Sequence, residues 1–462
     1  MLYRGGEVLR EQIGFLSLRP MEVVNSNTIQ TSDFPIHSWY RFVLSFPPHL
    51  VRKYLDTFHV TAGDLVFDPF CGTGTTLVEA KKCGFASCGC DAHPFTQLVS
   101  RVKTNWTLDL QTARELFGSI ADEAEKESNN HGLYPETLDS RLREHTEIYG
   151  NGYRLPEEIE VLLPEGFVSE RPLLRLLILK SVIEKRTRGA AGALRDFFYL
   201  ALAHTIANGA GNFAFGPEIY RTKAKSDYDV LGHFCRVATT MMDELQMVQE
   251  AGLAAIPSEV IASDARELKG VPKGITTVIT SPPYPNEKDY TRSTRVESLL
   301  LGLISDKKHL REIKENLLRS NTRNVFVKDR DMEEVKEFPS IQKACREIED
   351  RRIELGKTSG FERLYHKVVA HYFGGMRRHF RSLYPRLERG AKLAYVVGDQ
   401  LSFLMVHIPT ARFLGELAEA EGYKFLGCDL WRERVGTKVK NDVAGRRVIR
   451  VREEVLVLQK GK

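Results

Sequence analysis

The sequence contains no apolar run able to cross a bilayer. Its most apolar stretch, Leu173 to Val182, is interrupted by Arg175 and Lys180 and falls short of the ~20 residues a spanning helix needs. A secretory leader is not expected either, because Glu7, Arg10 and Glu11 stand where its apolar region would lie. Nor does cysteine usage suggest a disulfide framework. The seven cysteines (Cys71, Cys83, Cys88, Cys90, Cys235, Cys345 and Cys428) are an odd number in a chain of 462 residues, which suits free thiols in a reducing compartment. The cluster Cys83, Cys88 and Cys90 lacks a second ligand pair, so no metal site is expected. Repeats and low-complexity tracts are missing from the sequence as well. A strong charge imbalance is also lacking: the net charge of +5 is mildly basic and suits a polyanionic partner without requiring one. These absences predict a soluble cytoplasmic protein with no membrane partner.

With 42% hydrophobic and 27% charged residues, the composition is that of a globular chain, long enough for one large α/β domain plus a substantial insertion. A helix is expected around His49 to Phe58, a core strand at Gly63 to Phe67, and a helix at Thr75 to Cys83. A second strand, Ser87 to Cys90, ends at Asp91, and a helix follows from Phe95 to Lys103. This βαβ opening, with a glycine-bearing turn after its first strand, predicts a doubly wound sheet. Strand-type sequence resumes only at Glu259 to Ala262 and Thr276 to Thr280, after a stretch of amphipathic helix. The expected division is 1–106 as an N-terminal segment and first part of the core, 107–258 as a helical insertion, and 259–293 as core again. Residues 294–360 form a second, charged helical insertion, and 361–462 complete the core with a helix at Tyr365 to Leu383, a strand at Lys392 to Val397, a helix at Ile408 to Glu421 and a terminal hairpin. The interleaved charges of the second insertion read as a solvated helical surface laced with ion pairs.

Two short segments carry the chemistry. Val66 to Thr76 reads as a buried strand followed by Gly72-Thr73-Gly74-Thr75-Thr76, a turn whose bare backbone permits close approach of a ligand. A phosphate-loop reading fails because no lysine follows the second glycine, and a dinucleotide fingerprint fails because the third glycine is missing. Pro69 fixes the turn and Phe70 offers an apolar face. Asp91 ends the second strand, about where an acid grips the ribose of an adenosine. Asp264 follows the third strand, positioned either to accept from an adenine amine or to cap a helix. The second segment, Thr280-Ser281-Pro282-Pro283-Tyr284, is a strand end followed by a polar residue, two prolines and an aromatic ring.

Taken in this order, Asp68-Pro69-Phe70-Cys71-Gly72-Thr73-Gly74-Thr75-Thr76, Asp91 with Pro94, Asp264, and Ser281-Pro282-Pro283-Tyr284 resemble the motifs of S-adenosylmethionine-dependent DNA amino-methyltransferases. The segment from His37-Ser38-Trp39 through the Pro47-Pro48 helix is similar to the one that packs beside the methionine moiety in that family, with Phe46 as the expected contact. The resemblance covers about half the chain. It implies a Rossmann-like class I methyltransferase sheet carrying a large helical insertion, with S-adenosylmethionine held by Asp68, Pro69, Phe70, Gly72, Thr73, Gly74, Thr75, Thr76, Asp91, Asp264 and Phe46. Asp68 is placed near the methionine amino group.

Methyl transfer to an exocyclic amine needs strict geometry, because the nitrogen lone pair is delocalised into the ring. Ser281 Oγ and the Pro282 carbonyl suit the acceptor role toward the amine protons, Pro282 and Pro283 stiffen the loop, and Tyr284 can stack on a base taken out of the helix. Serine at the first position of this motif is commoner in enzymes acting on cytosine N4 and aspartate in those acting on adenine N6, so cytosine N4 is expected. C5-cytosine chemistry is disfavoured because no Pro-Cys pair occurs in the chain. An RNA methyltransferase of the transfer-RNA guanosine type shares the first motif. About 60 residues precede the first core strand, however, where such enzymes carry an RNA-binding domain.

Double-stranded DNA is therefore the expected partner, the nucleoid the expected location, and a cognate restriction endonuclease an allowed companion. Asn208 to Lys225, a glycine-rich and aromatic stretch, suits nucleic-acid contact through Arg221, Lys223 and Lys225, although a structural loop packing its phenylalanines inward fits the same residues. Asn286 and Tyr290 extend the catalytic loop. Lys438 and Lys440 with Arg446 and Arg447, and separately Arg377, Arg378 and Arg381, are phosphate-contact candidates.

Overall fold

The structure, a computed structural model, describes residues 33–42, 44–133, 153–216, 218–435 and 450–461. Its strands are β1 (Leu65–Asp68), β2 (Ala86–Asp91), β3 (Phe213–Phe215), β4 (Ile219–Arg221), β5 (Ser258–Ala262), β6 (Ile275–Thr280), β7 (Leu387–Gly398), β8 (Tyr423–Val435) and β9 (Arg450–Lys460). Seven of them form one sheet in the order β5-β2-β1-β6-β7-β9-β8, and β3 pairs with β4 separately. From β5 through β7 every pairing is parallel, whereas β9 runs antiparallel to both β7 and β8. The chain winds from β1 outward through β2 to β5, then returns to β6 on the other side of β1. The sheet is thus the doubly wound, Rossmann-like sheet expected for a class I methyltransferase.

Side-chain alternation shows how both faces of this sheet are covered. On β1, Val66 packs with Leu50, Tyr54 and Ala80 on one face, while Phe67 joins Phe373, Phe380 and Leu414 on the other. Val278 and Ile279 of β6 divide in the same way, as do Leu393 and Ala394 of β7. Helix Pro48–Thr57 begins on proline, whose fixed φ and missing donor suit a first helical position. Helix Thr75–Lys82 starts after Gly74 in a left-handed conformation (φ 84°), which a Cβ would strain while pressing within 3.3 Å of the Ser100 backbone.

The stretch after the βαβ opening is built mainly of helices Leu110–Asn130, Glu170–Arg186, Gly192–Thr205 and Val230–Glu250. They share a core containing Phe197, Phe198, Leu200, Phe234 and Met241 with Phe95 and Leu98 of helix Pro94–Thr104. The segment from Asn208 is more ordered than a loop: a π-helical turn, Ile206–Ala210, leads into the β3–β4 hairpin. Phe213 is buried there against Phe167, with ring centroids 5.8 Å apart. The strand expected at Lys392 to Val397 begins five residues earlier, and the terminal antiparallel pair joins Tyr423–Val435 with Arg450–Lys460. No helix among the described residues is long and apolar enough to cross a membrane.

Candidate active site

Ligands of doubly wound sheets settle at the carboxyl ends of the strands where the winding reverses. Here that point lies between β1 and β6, the strands that carry the two segments singled out in the sequence. A cavity of about 790 Å³ opens there, within the ~300–1,000 Å³ usual for small-molecule sites. Pro69 to Thr73 and Thr75 form one wall of it, and Ser281 to Tyr284 another.

The first wall is held by bonds among near neighbours in the chain. Gly72 N donates to Asp91 Oδ2 (3.0 Å), His93 N donates to Asp91 Oδ1 (2.8 Å), and Cys71 N donates to the Cys90 carbonyl (3.0 Å). Asp91 lines the cavity, and burial raises its carboxyl pKa against the opposing pull of these backbone donors. At Gly72 an added Cβ would meet nothing nearer than the Phe70 carbonyl at 3.9 Å, so its bare face borders open space. Phe46 lines the cavity together with Ser45, Pro47 and Leu50, and Ser45 Oγ lies 3.1 Å from Thr73 Oγ1. Phe70 faces it while packing on His379 at 5.1 Å between centroids.

Asp68, Gly74 and Thr76 do not line the cavity. Asp68 is fully buried beneath the turn, where its Oδ1 accepts from Thr280 Oγ1 (2.6 Å) and Phe70 N (3.1 Å). Burial pushes its carboxyl up to about 6. Thr76 Oγ1 donates to the Ile279 carbonyl (3.0 Å). These two side chains therefore tie β1 and its following helix to β6, and Asp68 does not sit beside the cavity as expected. Asp264 does line it, but its carboxylate is chelated by Arg266, with Nε at 3.0 Å from both oxygens and Nη2 at 2.6 Å from one. Arg266 also donates to Asp331 Oδ2 at 2.7 Å.

On the second wall, Ser281 Oγ donates its proton to the Val396 carbonyl (3.1 Å), which leaves the hydroxyl's lone pairs for incoming donors. Tyr284 lies against Gly398, where an added Cβ would come within 3.3 Å of its ring. Asn286 and Tyr290 also line the cavity, and burial pushes the Tyr290 phenol up to about 12. The following residues are pinned to the second insertion. Glu287, in a left-handed conformation, accepts from Thr322 N (2.9 Å) and Oγ1 (3.0 Å), and burial pushes its carboxyl up to about 7. The Lys288 carbonyl accepts from Ser320 Oγ (2.9 Å) and Asn321 Nδ2 (3.0 Å), and Lys314 pairs with Asp289 at 2.7 Å.

Several lining residues carried no motif. Leu318, Ser320 and Asn324 come from the charged insertion, Asp399 and Met405 from the loop after β7, and Trp431, Arg432 and Glu453 from the terminal hairpin. The one available signal was Gly398-Asp399-Gln400, which closes a third parallel strand at the same sheet edge.

The nucleic-acid candidates fare unevenly. Lys225 is spent inside the fold, its ammonium donating to the carbonyls of Gly209 (2.6 Å) and Gly211. Arg221 and Lys223 are exposed but lie outside the cavity lining, which the same hairpin reaches, among the described residues, only through Gly216. Arg377 and Arg381 are held by Glu421, and Arg378 by Asp331, so these phosphate candidates are structural ion pairs. Lys438, Lys440, Arg446 and Arg447 lie outside the described residues.

A protein-family model described as "DNA methylase" matches residues 21–99, which contain the Phe46 segment, the Asp68–Thr76 turn and Asp91. The Type II methyltransferase M.BsoBI of Geobacillus stearothermophilus is 24% identical over 438 residues, covering 87% of this chain and 81% of that protein. M.MvaI of Kocuria varians is 23% identical over 329 residues, 66% of each. M.MjaII of Methanocaldococcus jannaschii is 29% identical over 116 residues, 25% of this chain and 22% of its own. The family match and these relatives support an amino-methyltransferase.

Proposed function

We propose that this chain is a site-specific DNA methyltransferase of the restriction-modification type, acting on the exocyclic N4 amine of a cytosine turned out of the duplex. One observation carries the reading: the glycine-rich turn after β1 and the Ser281–Tyr284 loop after β6 face each other across a single cavity. The residues along the first wall fit S-adenosylmethionine. Asp91 suits the ribose hydroxyls and Asp264, its charge already met by Arg266, an adenine amine, while Phe46 and Phe70 offer apolar faces and the Gly72 backbone is open. When bound, S-adenosylmethionine supplies an electrophilic methyl group.

The chain's own task is then to shape the nucleophile. Ser281, its proton committed to Val396, accepts from one amine proton, and the Pro282 carbonyl accepts from the other. Drawing both protons toward these acceptors favours a tetrahedral nitrogen whose lone pair faces the donor. Tyr284 stacks on the extruded base, while Pro282 and Pro283 keep the loop from relaxing. Target selection is assigned to the helical insertion at 107–258, whose β3–β4 hairpin reaches the cavity rim at Gly216. A cognate endonuclease is the natural companion of such an enzyme.

The test uses labelled methyl donor with plasmid DNA, followed by digestion to nucleosides and mass spectrometry. N4-methylcytosine is the expected product. N6-methyladenine would keep the enzyme class and overturn the cytosine assignment, and label appearing in transfer RNA but not DNA would overturn the reading altogether.

A further inference from the structure

Between Gly398 and Thr410 the chain forms a tight loop beside the catalytic segment. Its neck is closed by paired backbone bonds, Gln400 N to the Ile408 carbonyl (3.1 Å) and Ile408 N to the Gln400 carbonyl (2.9 Å). Phe403 anchors it from below, fully buried with its ring 5.2 Å from that of Tyr365. From the side, His407 Nε2 bonds Asp399 Oδ2 at 2.9 Å. At the tip, Leu404 (φ 55°) and Met405 (φ 64°) both adopt the left-handed conformation that side-chain-bearing residues rarely enter. They are the one adjacent pair of such non-glycine residues among those described. Strain of this kind persists only where surrounding structure enforces it, and it clusters at functional sites.

The strained tip presents one side chain outward. Of the twelve large apolar residues exposed among the described residues, Met405 alone also lines the catalytic cavity. A lone exposed apolar side chain is ordinary on a protein surface. Here, though, the exposure coincides with a rigid neck, a buried anchor and a backbone forced into an unfavourable state, at the mouth of the pocket a base must enter. Methionine is flexible and polarisable, suited to lie against stacked rings, and apolar residues of this kind serve as wedges between base steps.

We infer that Met405 is the wedge that fills the stack of duplex DNA when the target base moves into the cavity. The inference rests on the proposed DNA methyltransferase reading and adds a positioning residue to it. Met405 touches the neighbours of the extruded base and makes no bond in the transfer step.

Glycine accepts φ near 64° freely, so Met405→Gly removes the wedge while relieving the backbone. Duplex oligonucleotides carrying the site that the wild-type enzyme methylates on plasmid DNA would be made in two forms, one with the target base paired and one with it opposite an abasic position. The glycine variant is expected to methylate the paired duplex at least about tenfold more slowly, to recover near wild-type rates on the abasic duplex, and to keep its affinity for the methyl donor. Met405→Leu, which retains an apolar wedge, should behave like wild type on both duplexes. Equal slowing on both duplexes, an unchanged rate on the paired one, or weakened donor binding would each overturn the assignment. If the wild-type protein methylates no DNA at all, the underlying functional reading fails instead, and the two failures are told apart by that control.

Discussion

The two walls of the cavity are built in opposite ways. The wall proposed for the methyl donor, the donor wall, comes mostly from one short stretch, Pro69 to Thr96, and is locked by bonds within it, such as Gly72 to Asp91 and Cys71 to Cys90. The wall proposed for the target base, the acceptor wall, is assembled from four distant stretches around Ser281, Ser320, Asp399 and Trp431, joined by long-range bonds such as Glu287 to Thr322 and Ser281 to Val396. A wall made of neighbours needs little from the rest of the fold to keep its shape. One made of remote pieces depends on every piece being in place, and can be altered by changing any of them. That contrast suits a common methyl donor held against a variable target.

Breaking a buried ion-pair link between the walls is the largest test of their independence. Asp331, buried at 3% exposure in the second insertion, accepts from Arg266 and Arg378, and Arg266 in turn chelates Asp264 on the donor wall. Removing one member of a buried charge network leaves its partners uncompensated, so Asp331→Ala should cost about 3–5 kcal/mol in chemical denaturation. If the donor wall is self-sufficient, the folded variant still binds donor like wild type while methyl transfer falls. A donor affinity that drops along with transfer would show that the walls act as one unit. The next effect in size is a crossed pair of substitutions. Ser281→Ala should lower transfer by about 10²–10³-fold with donor binding intact, whereas Asp91→Ala should weaken donor binding by about tenfold or more. Loss of donor binding in Ser281→Ala would mean the two walls have been assigned the wrong roles.

The same contrast explains what was legible in the sequence. The helices flanking β1 and β2, and the turn between Asp68 and Thr76, announce themselves because local bonding needs particular residues in consecutive positions. Gly74 must be left-handed, and Pro48 and Pro94 open helices where their missing donors do no harm. Leu318, Met405 and Trp431 gave no such signal, since their place at the cavity follows from how remote segments fold back. The charged insertion illustrates the point. Its surface pairs, such as Arg311 with Glu315 and Lys308 with Glu312, match the expected solvated pattern, yet the same segment buries Arg319 against Asp329 and supplies part of the cavity wall. Interleaved charge gives no indication of which side chains will turn inward. Lys225 and Arg377 fail for the same reason, because a cation in sequence looks alike whether it faces phosphate or a carbonyl.

Asp68 is the exception, a motif residue whose role depends on a distant partner, and it supplies the last of these tests. Its carboxyl sits between β1 and β6, bonded to Thr280 and cut off from solvent, and burial lifts it to about 6 from an ordinary 3.8. A carboxyl whose folded pKa is raised holds its proton more tightly in the folded state. The penalty for ionising it is therefore nil below about pH 4, grows between pH 4 and 6, and is complete above that. Asparagine keeps the acceptor oxygen for Thr280 and Phe70 without carrying the charge. The stability difference between Asp68→Asn and wild type should accordingly rise in the variant's favour by up to about 3 kcal/mol from pH 4 to pH 7, read from urea unfolding across that range without methyl donor. A difference that stays level would mean that the Asp68 carboxyl carries its charge beneath the turn without penalty. A difference that moves the other way would mean that the ionised carboxylate itself binds β1 to β6, and that the donor wall is less self-contained than its local bonding suggests.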